Sequence, residues 1–293
     1  MPIINGQGGQ AKFVINKLYA VDNRLIALYY NGAIEDITGL RDLYNREGIV
    51  LPDPIVLNTI PDFDEATDGQ IDTAIKLAQN GIIDLGDYWT VGDTRAVSLS
   101  AMDATDVRES HAAQTVELTV MHSFKNNGSL GGISADKGSL LVGLKDNLKE
   151  NGYMNSSNTN AGGWRDSARR IWCNNVFPNS LPDCFKNNML EMAIKTYNSS
   201  LSVTTDKAAL WAEKEIFGSR SYSWTTEADA LTQVEYYKTA ANRIKKTNGS
   251  AHYWWERSPI SSDTTYFCLV YNNGSANLNA ASNAFGLAPF FCI

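Results

Sequence analysis

Ser110 stands beside His111 in the stretch RESHAAQ, with Asp103 and Asp106 a few residues upstream, and these are the residue types of a hydrolytic triad. Triads are assembled by geometry from distant positions, and neighbours on an extended chain point to opposite faces, so adjacency argues against one here. His111 and His122 are instead expected to be hydrogen-bonded structural histidines, while His252, beside an aromatic run, leaves structural and ligand-contacting roles open. Glu213 and Glu215 in AEKEIFG have the composition of an acid and base pair, but two carboxylates around Lys214 in a helical or turn segment read as a solvated face. Cys173, Cys184, Cys268 and Cys292 form no CxxC and no paired histidine spacing, which argues against a zinc site and for buried thiols, with a Cys173–Cys184 or Cys268–Cys292 disulfide as the alternative. GQGG at 6–9 and GSLGG at 128–132 lack the strand, helix and lysine of a phosphate cradle. The expectation is a chain with no catalytic residues, no metal and no cofactor.

The elements that must position any site come next. With 293 residues, 43% hydrophobic content and a mean hydropathy of -0.26, the chain is long enough for one large domain or two and carries a substantial core. Its net charge of -7 and pI near 5.0, with no basic run beyond Lys245–Lys246, argue against a nucleic acid or an anionic membrane as partner. MPIINGQGGQAKF has neither the basic start nor the apolar centre of a secretory leader, and no window has the length of a membrane span. Synthesis in a cytoplasm and no membrane insertion are therefore expected.

FVINKLYAVDNRLIALYYNG clusters apolar residues around Asp22–Asn23 and predicts a hairpin; EDITGLRDLYNREG predicts a short helix ended by Gly48. Pro52, Pro54 and Pro61 then mark an extended connection, which places a boundary near residue 64. Residues 1–64 are expected to be a separate module and 65–293 the main domain. DEATDGQIDTAIKLAQNG predicts a helix with Ile71, Ala74, Ile75 and Ala78 on one face, capped by Thr67 or Asp68 and ended by Gly81. DYWTVGDTRAVSLSAM predicts two strands meeting at Gly92–Asp93, and QTVELTVMHSF a strand with one wet face. WRDSARRIWCNNVF, TTDKAALWAEKEIFG and TEADALTQVEYYKTAANRIKK predict helices, the last capped by Thr225 or Thr226 with Glu227 and Asp229 in its first turn and Arg243, Lys245 and Lys246 in its last. HYWWERSP, TYFCLVY and GLAPFFCI predict strands separated by segments of Asn, Ser, Ala, Gly and Thr. The fold class implied is α+β: helices flanking a modest, mostly antiparallel sheet.

Residues 257–293 contain no Lys, Glu, Gln, Met or Trp, although these five types supply 45 of the 256 preceding residues. Turn-rich chain favours small polar residues for backbone reasons, but that does not remove all five types. They share one property: none has a codon ending in C. Randomising the two adenines of AAC codons would generate only the other types, among them the Tyr, Leu, Ala, Phe, Asp, Thr, Ser and Ile found here.

YWWERSP, an Asn/Ser-rich stretch and the closing GLAPFFCI resemble the carboxyl-terminal segment of a W-W-x-R-S-P domain family common in gut bacteria and their phages. The resemblance continues upstream through DYWTVGDTRAVSLSAM, ESHAAQTVELTV, GYMNSSNTNAGGWRDSARRIWCNNVF, AEKEIFGSRSY and YYKTAANRIKK, covering roughly residues 80–293. It is also similar to the variable proteins of diversity-generating retroelements, which display randomised residues on a C-type lectin fold. That resemblance implies a C-type-lectin-like domain with variable loops at 257–288, acting as a receptor-binding protein of a phage tail, or as a bacterial surface adhesin of fixed specificity. The implied partners are a protein or glycan on a host cell surface and, through residues 1–64, other tail proteins; a homo-oligomer, by analogy with tail fibres a trimer, is implied with them.

A rigid core tolerates exchange of the side chains on the loops it holds. Trp254, Trp255, Arg257, Phe267 and Pro289 are assigned to that core, with Tyr253, Leu269 or Val270, and Phe291, and Arg257 with Glu256 to tying the base of the loops. Ile260, Ser261, Asp263, Thr264, Tyr271, Asn272, Ser275, Ala276, Asn277, Leu278, Asn279, Ala281, Asn283, Ala284 and Phe285 are assigned to the ligand-binding surface, with Tyr271, Leu278 and Phe285 as candidate apolar anchors for which core packing is the alternative. Asp263 is the one carboxylate after Glu256, too few for a calcium-dependent sugar site.

Overall fold

A computed structural model describes residues 15–21, 24–29, 34–40, 55–57, 60–104, 107, 109–125, 130–135 and 139–293. The chain divides into two units, one comprising residues up to Pro61 with Asn80–Ile82, the other Asp62–Gln79 with Ile83–Ile293. In the first, β1 (Ile15–Val21) and β2 (Arg24–Tyr29) form the hairpin foreseen around Asp22–Asn23, Val21 pairing with Arg24. EDITGL is not helical at its start: β3 (Ile34–Asp36) pairs with β2 and only Thr38–Leu40 turns, as a short 3-10 helix. The proline-flanked segment is not merely a connection either, because β4 (Ile55–Leu57) joins β1 in parallel. The remainder of the predicted helix to Gly48, and GQGG, lie outside the described residues.

The second unit is α+β, built from short helices and several small antiparallel sheets. It opens with α1 (Asp68–Gln79), whose buried stripe is Ile71, Ala74, Ile75, Leu77 and Ala78. Its cap is reciprocal: Gln70 N donates to Thr67 Oγ1 at 3.3 Å and Thr67 N to Gln70 Oε1 at 2.8 Å. Then follow β5 (Thr94–Leu99), β6 (Gln114–Ser123), β7 (Ile133–Ser134), β8 (Leu140–Leu144), α2 (Gly163–Asp166), α3 (Ala168–Asn175), α4 (Phe177–Ser180) and α5 (Asp183–Lys186). The remainder is β9 (Met192–Asn198), β10 (Ser200–Asp206), β11 (Ala208–Ala209), α6 (Glu213–Phe217), α7 (Thr225–Asp229), β12 (Lys245–Thr247), β13 (Ser250–His252), β14 (Trp254–Pro259), β15 (Tyr266–Val270), β16 (Ala276–Ala280) and β17 (Phe290–Cys292).

The largest sheet among the described residues has the order β11-β17-β8-β6-β5, so β17 is one of its interior strands, between β11 and β8. Trp172, Phe177, Phe185 and Phe291 pack on it, and Trp211 stacks on Phe290 with ring centres 3.6 Å apart. β6 keeps its wet face only at Thr115 and Glu117; past them Thr119 and Met121 are buried and a bulge shifts the register.

Three sequence expectations give way to long-range contacts. Residues 85–93 form a 3-10 turn and a tight turn, leaving β5 as the only strand of DYWTVGDTRAVSLSAM. TTDKAAL supplies the end of β10 and all of β11, and there the Asp206 carboxylate is claimed by Trp164 Nε1 at 2.9 Å, Thr204 Oγ1 at 2.7 Å and Arg170 Nε at 2.6 Å. The segment 225–246, expected as one long helix, is a single turn, two 3-10 turns and a strand. Thr239 there is extended, and Gln233 Nε2 spans Ile216 O and Tyr237 O instead of facing solvent.

Candidate functional site

The carboxyl-terminal sheet, β14-β15-β16, grows from a pattern that buries β15 on both faces: Phe267, Cys268, Leu269 and Val270 are all inaccessible. Register sets Trp254 across from Val270 and Ala276, and Trp255 across from Leu269 and Asn277, so the two indoles lie on opposite faces. Each indole N–H is satisfied, Trp254 by Arg243 O at 2.9 Å and Trp255 by Gly152 O at 2.8 Å. Trp254, Trp255, Arg257, Phe267 and Pro289, assigned to the core from sequence, are all buried.

Arg257 is buried in an ion pair with Glu215, its two terminal nitrogens 2.5 and 2.6 Å from the carboxylate oxygens, and donates further to Leu210 O at 2.9 Å. Glu213 and Glu215 are thus not a solvated face; both are inaccessible. Glu213 accepts backbone N–H groups of Ser221, Tyr222 and Ser223 at 2.9–3.2 Å, which ties down the loop ahead of α7. Glu256 and Glu227 complete a group of four buried carboxyls around one guanidinium. Glu256 does not tie the loops as expected: neither of its oxygens has a hydrogen-bond partner, and burial with the neighbouring Glu213 and Glu227 charges holds its pKa well above the usual range. Burial likewise raises Glu227 to about 7 against the pull of Arg257.

Between β14 and β15 the loop is held by its backbone. Asn160, itself buried, donates its amide to Asp263 O and Tyr266 O, both at 2.8 Å, and its backbone N–H to Thr264 O. Ser261 N donates to Tyr222 O, and the Asp263 carboxylate accepts from Thr265 N at 2.7 Å. The side chains of Ser261, Asp263 and Thr264 are exposed, but Ile260 is only 3% accessible and belongs to the core rather than to a contact surface. Asn160→Ala is expected to cost about 1–3 kcal/mol, the scale for stranding buried partners, and to make residues 260–266 the first site of limited proteolysis; an unchanged urea midpoint and digest would contradict the anchoring role.

Residues 257–288 are not loop throughout, since Ala276–Ala280 forms β16, every residue of it half-buried. The β15–β16 turn closes through Tyr271 N to Ser275 O at 2.7 Å, and Gly274 at φ 83° occupies a left-handed conformation that disfavours other residues. Ser275 and Asn283 are exposed; Tyr271, Asn272, Ala276, Asn277, Leu278, Asn279, Ala284 and Phe285 are half-buried. Ala281 is inaccessible, its carbonyl taken by Met154 N and Asn155 N, so it too leaves the proposed surface. Tyr271 meets Tyr253 edge-on at 4.4 Å, and Phe285 lies 5.5 Å from Tyr253 and 5.2 Å from Trp255. These anchors are shared between packing and surface.

The hydrolytic sketch is not assembled. Ser110 Oγ accepts from Ala104 N and is exposed, whereas His111 is buried against Trp172, 3.4 Å from Glu150 and 3.7 Å from Glu109; Asp106 lies outside the described residues. Neither ring nitrogen of His111 or His122 makes a hydrogen bond, contrary to the expectation for both. His252 Nε2 lies 3.0 Å from Asn151 Nδ2, next to Tyr253. The four cysteines are buried free thiols, and among the described residues no three His, Cys, Asp or Glu side chains are placed to hold a metal ion.

Residues 137–293, more than half the chain and the whole of the carboxyl-terminal sheet, match a family described as a domain of unknown function, DUF6273. The chain belongs to the DUF6273 family. Comparison with curated proteins and with solved structures gave no match. The DUF6273 match takes in Asn160, Glu213, Glu215, Glu227, Glu256 and Arg257, so the buried acids and the loop anchor lie inside the family's domain. Asn160 was not singled out from sequence and Glu227 was read only as a first-turn acid, because no spacing marks their roles: their side-chain partners are 30 to 106 residues away.

Proposed function

We propose that this chain is a ligand-display protein of C-type-lectin-like type, the host-recognition component of a phage tail, with part of residues 257–288 diversified by a retroelement. The observation that carries it is a division of labour in the last 37 residues. Phe267, Leu269, Val270, Leu287, Phe290 and Phe291 are buried, while the small and amide residues of β16 and its flanking turns, Ala281 excepted, reach solvent and are held by backbone bonds. Side chains so placed can be exchanged at little cost to the fold. In this reading residues 1–64 attach the domain to other tail proteins in a homo-oligomer, a trimer by analogy with tail fibres, and the partner is a protein or glycan of a bacterial surface.

Sequencing the codons for residues 257–293 across a population, with the genes beside them, tests it. Substitutions confined to AAC-derived codons at 271, 272, 275–279 and 283–285, sparing Ile260 and Ala281, with a reverse-transcriptase gene nearby, are expected. An invariant tail would withdraw diversification and leave an adhesin of fixed specificity.

A further inference from the structure

Resting on the display reading, we infer that the β16 edge and the rings beside it take a neutral glycan, and that this edge is closed to an added peptide strand. Sheet edges bind extended peptides through their outward N–H and C=O groups. Ala281 N donates to Thr265 O across the hairpin, so odd-numbered residues of this strand face β15 and the N–H groups of Leu278 and Ala280 face away. Two of the three outward donors of the strand, Ala276 N being the third, are already taken, Leu278 N by Asn277 Oδ1 at 2.7 Å and Ala280 N by Asn279 Oδ1 at 2.9 Å. A peptide strand arriving here finds two consecutive rungs of the ladder occupied.

The same bonds fix what the edge does offer. Only an amide oxygen can accept from a backbone N–H, so the orientation of both side-chain amides is determined and each Nδ2 is left as a donor. Neither Nδ2 bonds to another described residue; Asn279 Oδ1 also accepts from Asn283 Nδ2 at 2.6 Å, and the carbonyl of Leu278 points the same way as its N–H. Donors and an acceptor thus alternate along the edge, the pattern that a row of hydroxyls, each both donor and acceptor, can meet.

Aromatic surface lies on the same side. Asn277 stands across from Leu269 and Trp255, Phe285 packs on Trp255, and Tyr253 bridges Phe285 to Tyr271, the last three half-buried. Ring faces beside amide donors suit the C–H face and hydroxyl rim of a pyranose. Charge limits the class further: residues 264–293 carry no charged side chain, and the Asp263 carboxylate is engaged by Thr265. An acidic or basic ligand would lose solvation without gaining a counter-charge.

The test uses the full chain against immobilised neutral hexose and N-acetylhexosamine oligosaccharides, and against a panel of intact bacterial cells with and without mild periodate oxidation. Expected are binding to neutral oligosaccharides that EDTA does not abolish, cell binding lost on oxidation, and at least tenfold weaker binding by Asn277→Ala/Asn279→Ala with its melting temperature nearly unchanged. The freed N–H groups should also make this variant self-associate in size-exclusion chromatography. Cell binding that survives oxidation but not protease treatment would overturn the glycan and leave display standing. Binding of an extended peptide at this edge, or full oligosaccharide binding by the double variant, would overturn the edge assignment. No binding to any cell or oligosaccharide would remove both.

Discussion

Arg257→Ala is expected to cost about 3–5 kcal/mol in urea unfolding, enough to leave much of the chain unfolded, because it strands a buried carboxylate. Glu215 has no exposure, and with Arg257 gone its remaining donor is Ala212 N at 2.9 Å. The freed carbonyl of Leu210 adds to the deficit. Lysine should not rescue it: one ammonium cannot reproduce two parallel N–H bonds to Glu215 while also reaching Leu210 O. The informative comparison is Arg257→Met with Glu215→Leu, which removes both charges and is expected to recover most of the loss. If Arg257→Ala loses less than about 1 kcal/mol, the pair is not the keystone its burial implies.

What could be read beforehand followed from local chemistry. The α1 helix announced itself through an apolar stripe and a cap within one turn, and the β1–β2 hairpin through apolar runs flanking Asp22–Asn23. The misread segments were decided elsewhere in the chain. Glu227 looked like first-turn dipole compensation, yet it is buried against Thr196 Oγ1 and Tyr197 N, and the helix ends two residues later. Lys245 looked like a helix-terminal cation, yet it is buried beneath Trp254 and Tyr237 and donates to Leu144 O and Lys145 O at 2.6 and 2.8 Å. The candidate surface shows the same split. Composition located its residues, but ANLNA lacks the β-branched and aromatic residues that mark a strand, and only pairing with YFCLV makes it β16. Nor could composition separate Ala281 and Ile260 from their exposed neighbours, since backbone contacts with Met154, Asn155 and Ser223 bury them.

Glu227→Gln should alter stability in a pH-dependent way whose sign is fixed by the buried acids. In the folded chain Glu227 sits at about 7, against 4.5 for an ordinary glutamate, with burial first and Glu215 second raising it and Arg257, Ser258 and Tyr197 N lowering it. Below pH 4.5 both states hold the proton; between 4.5 and 7 the unfolded chain releases it first, so the parent loses stability as pH rises. At about 1.4 kcal/mol per pH unit the loss totals about 3 kcal/mol, and above pH 7 this group contributes no further change. The glutamine variant cannot ionise. Its stability relative to the parent should therefore climb by that amount between pH 4.5 and 7 and then level off, as read from urea midpoints at several pH values. Glu256→Gln should shift in the same direction, because burial and the neighbouring carboxylates raise its carboxyl as well. Lys245 works oppositely: burial lowers it from 10.5 to about 7, so its penalty is relieved only as pH climbs above 7. Between 4.5 and 7 Lys245 makes no change, and His122, which burial lowers from 6.5, is common to variant and parent, so the gap between the two reports Glu227. A constant gap between variant and parent across that window would mean that Glu227 is ionised in the folded chain throughout, and that the group around Arg257 carries more negative charge than its one guanidinium can offset.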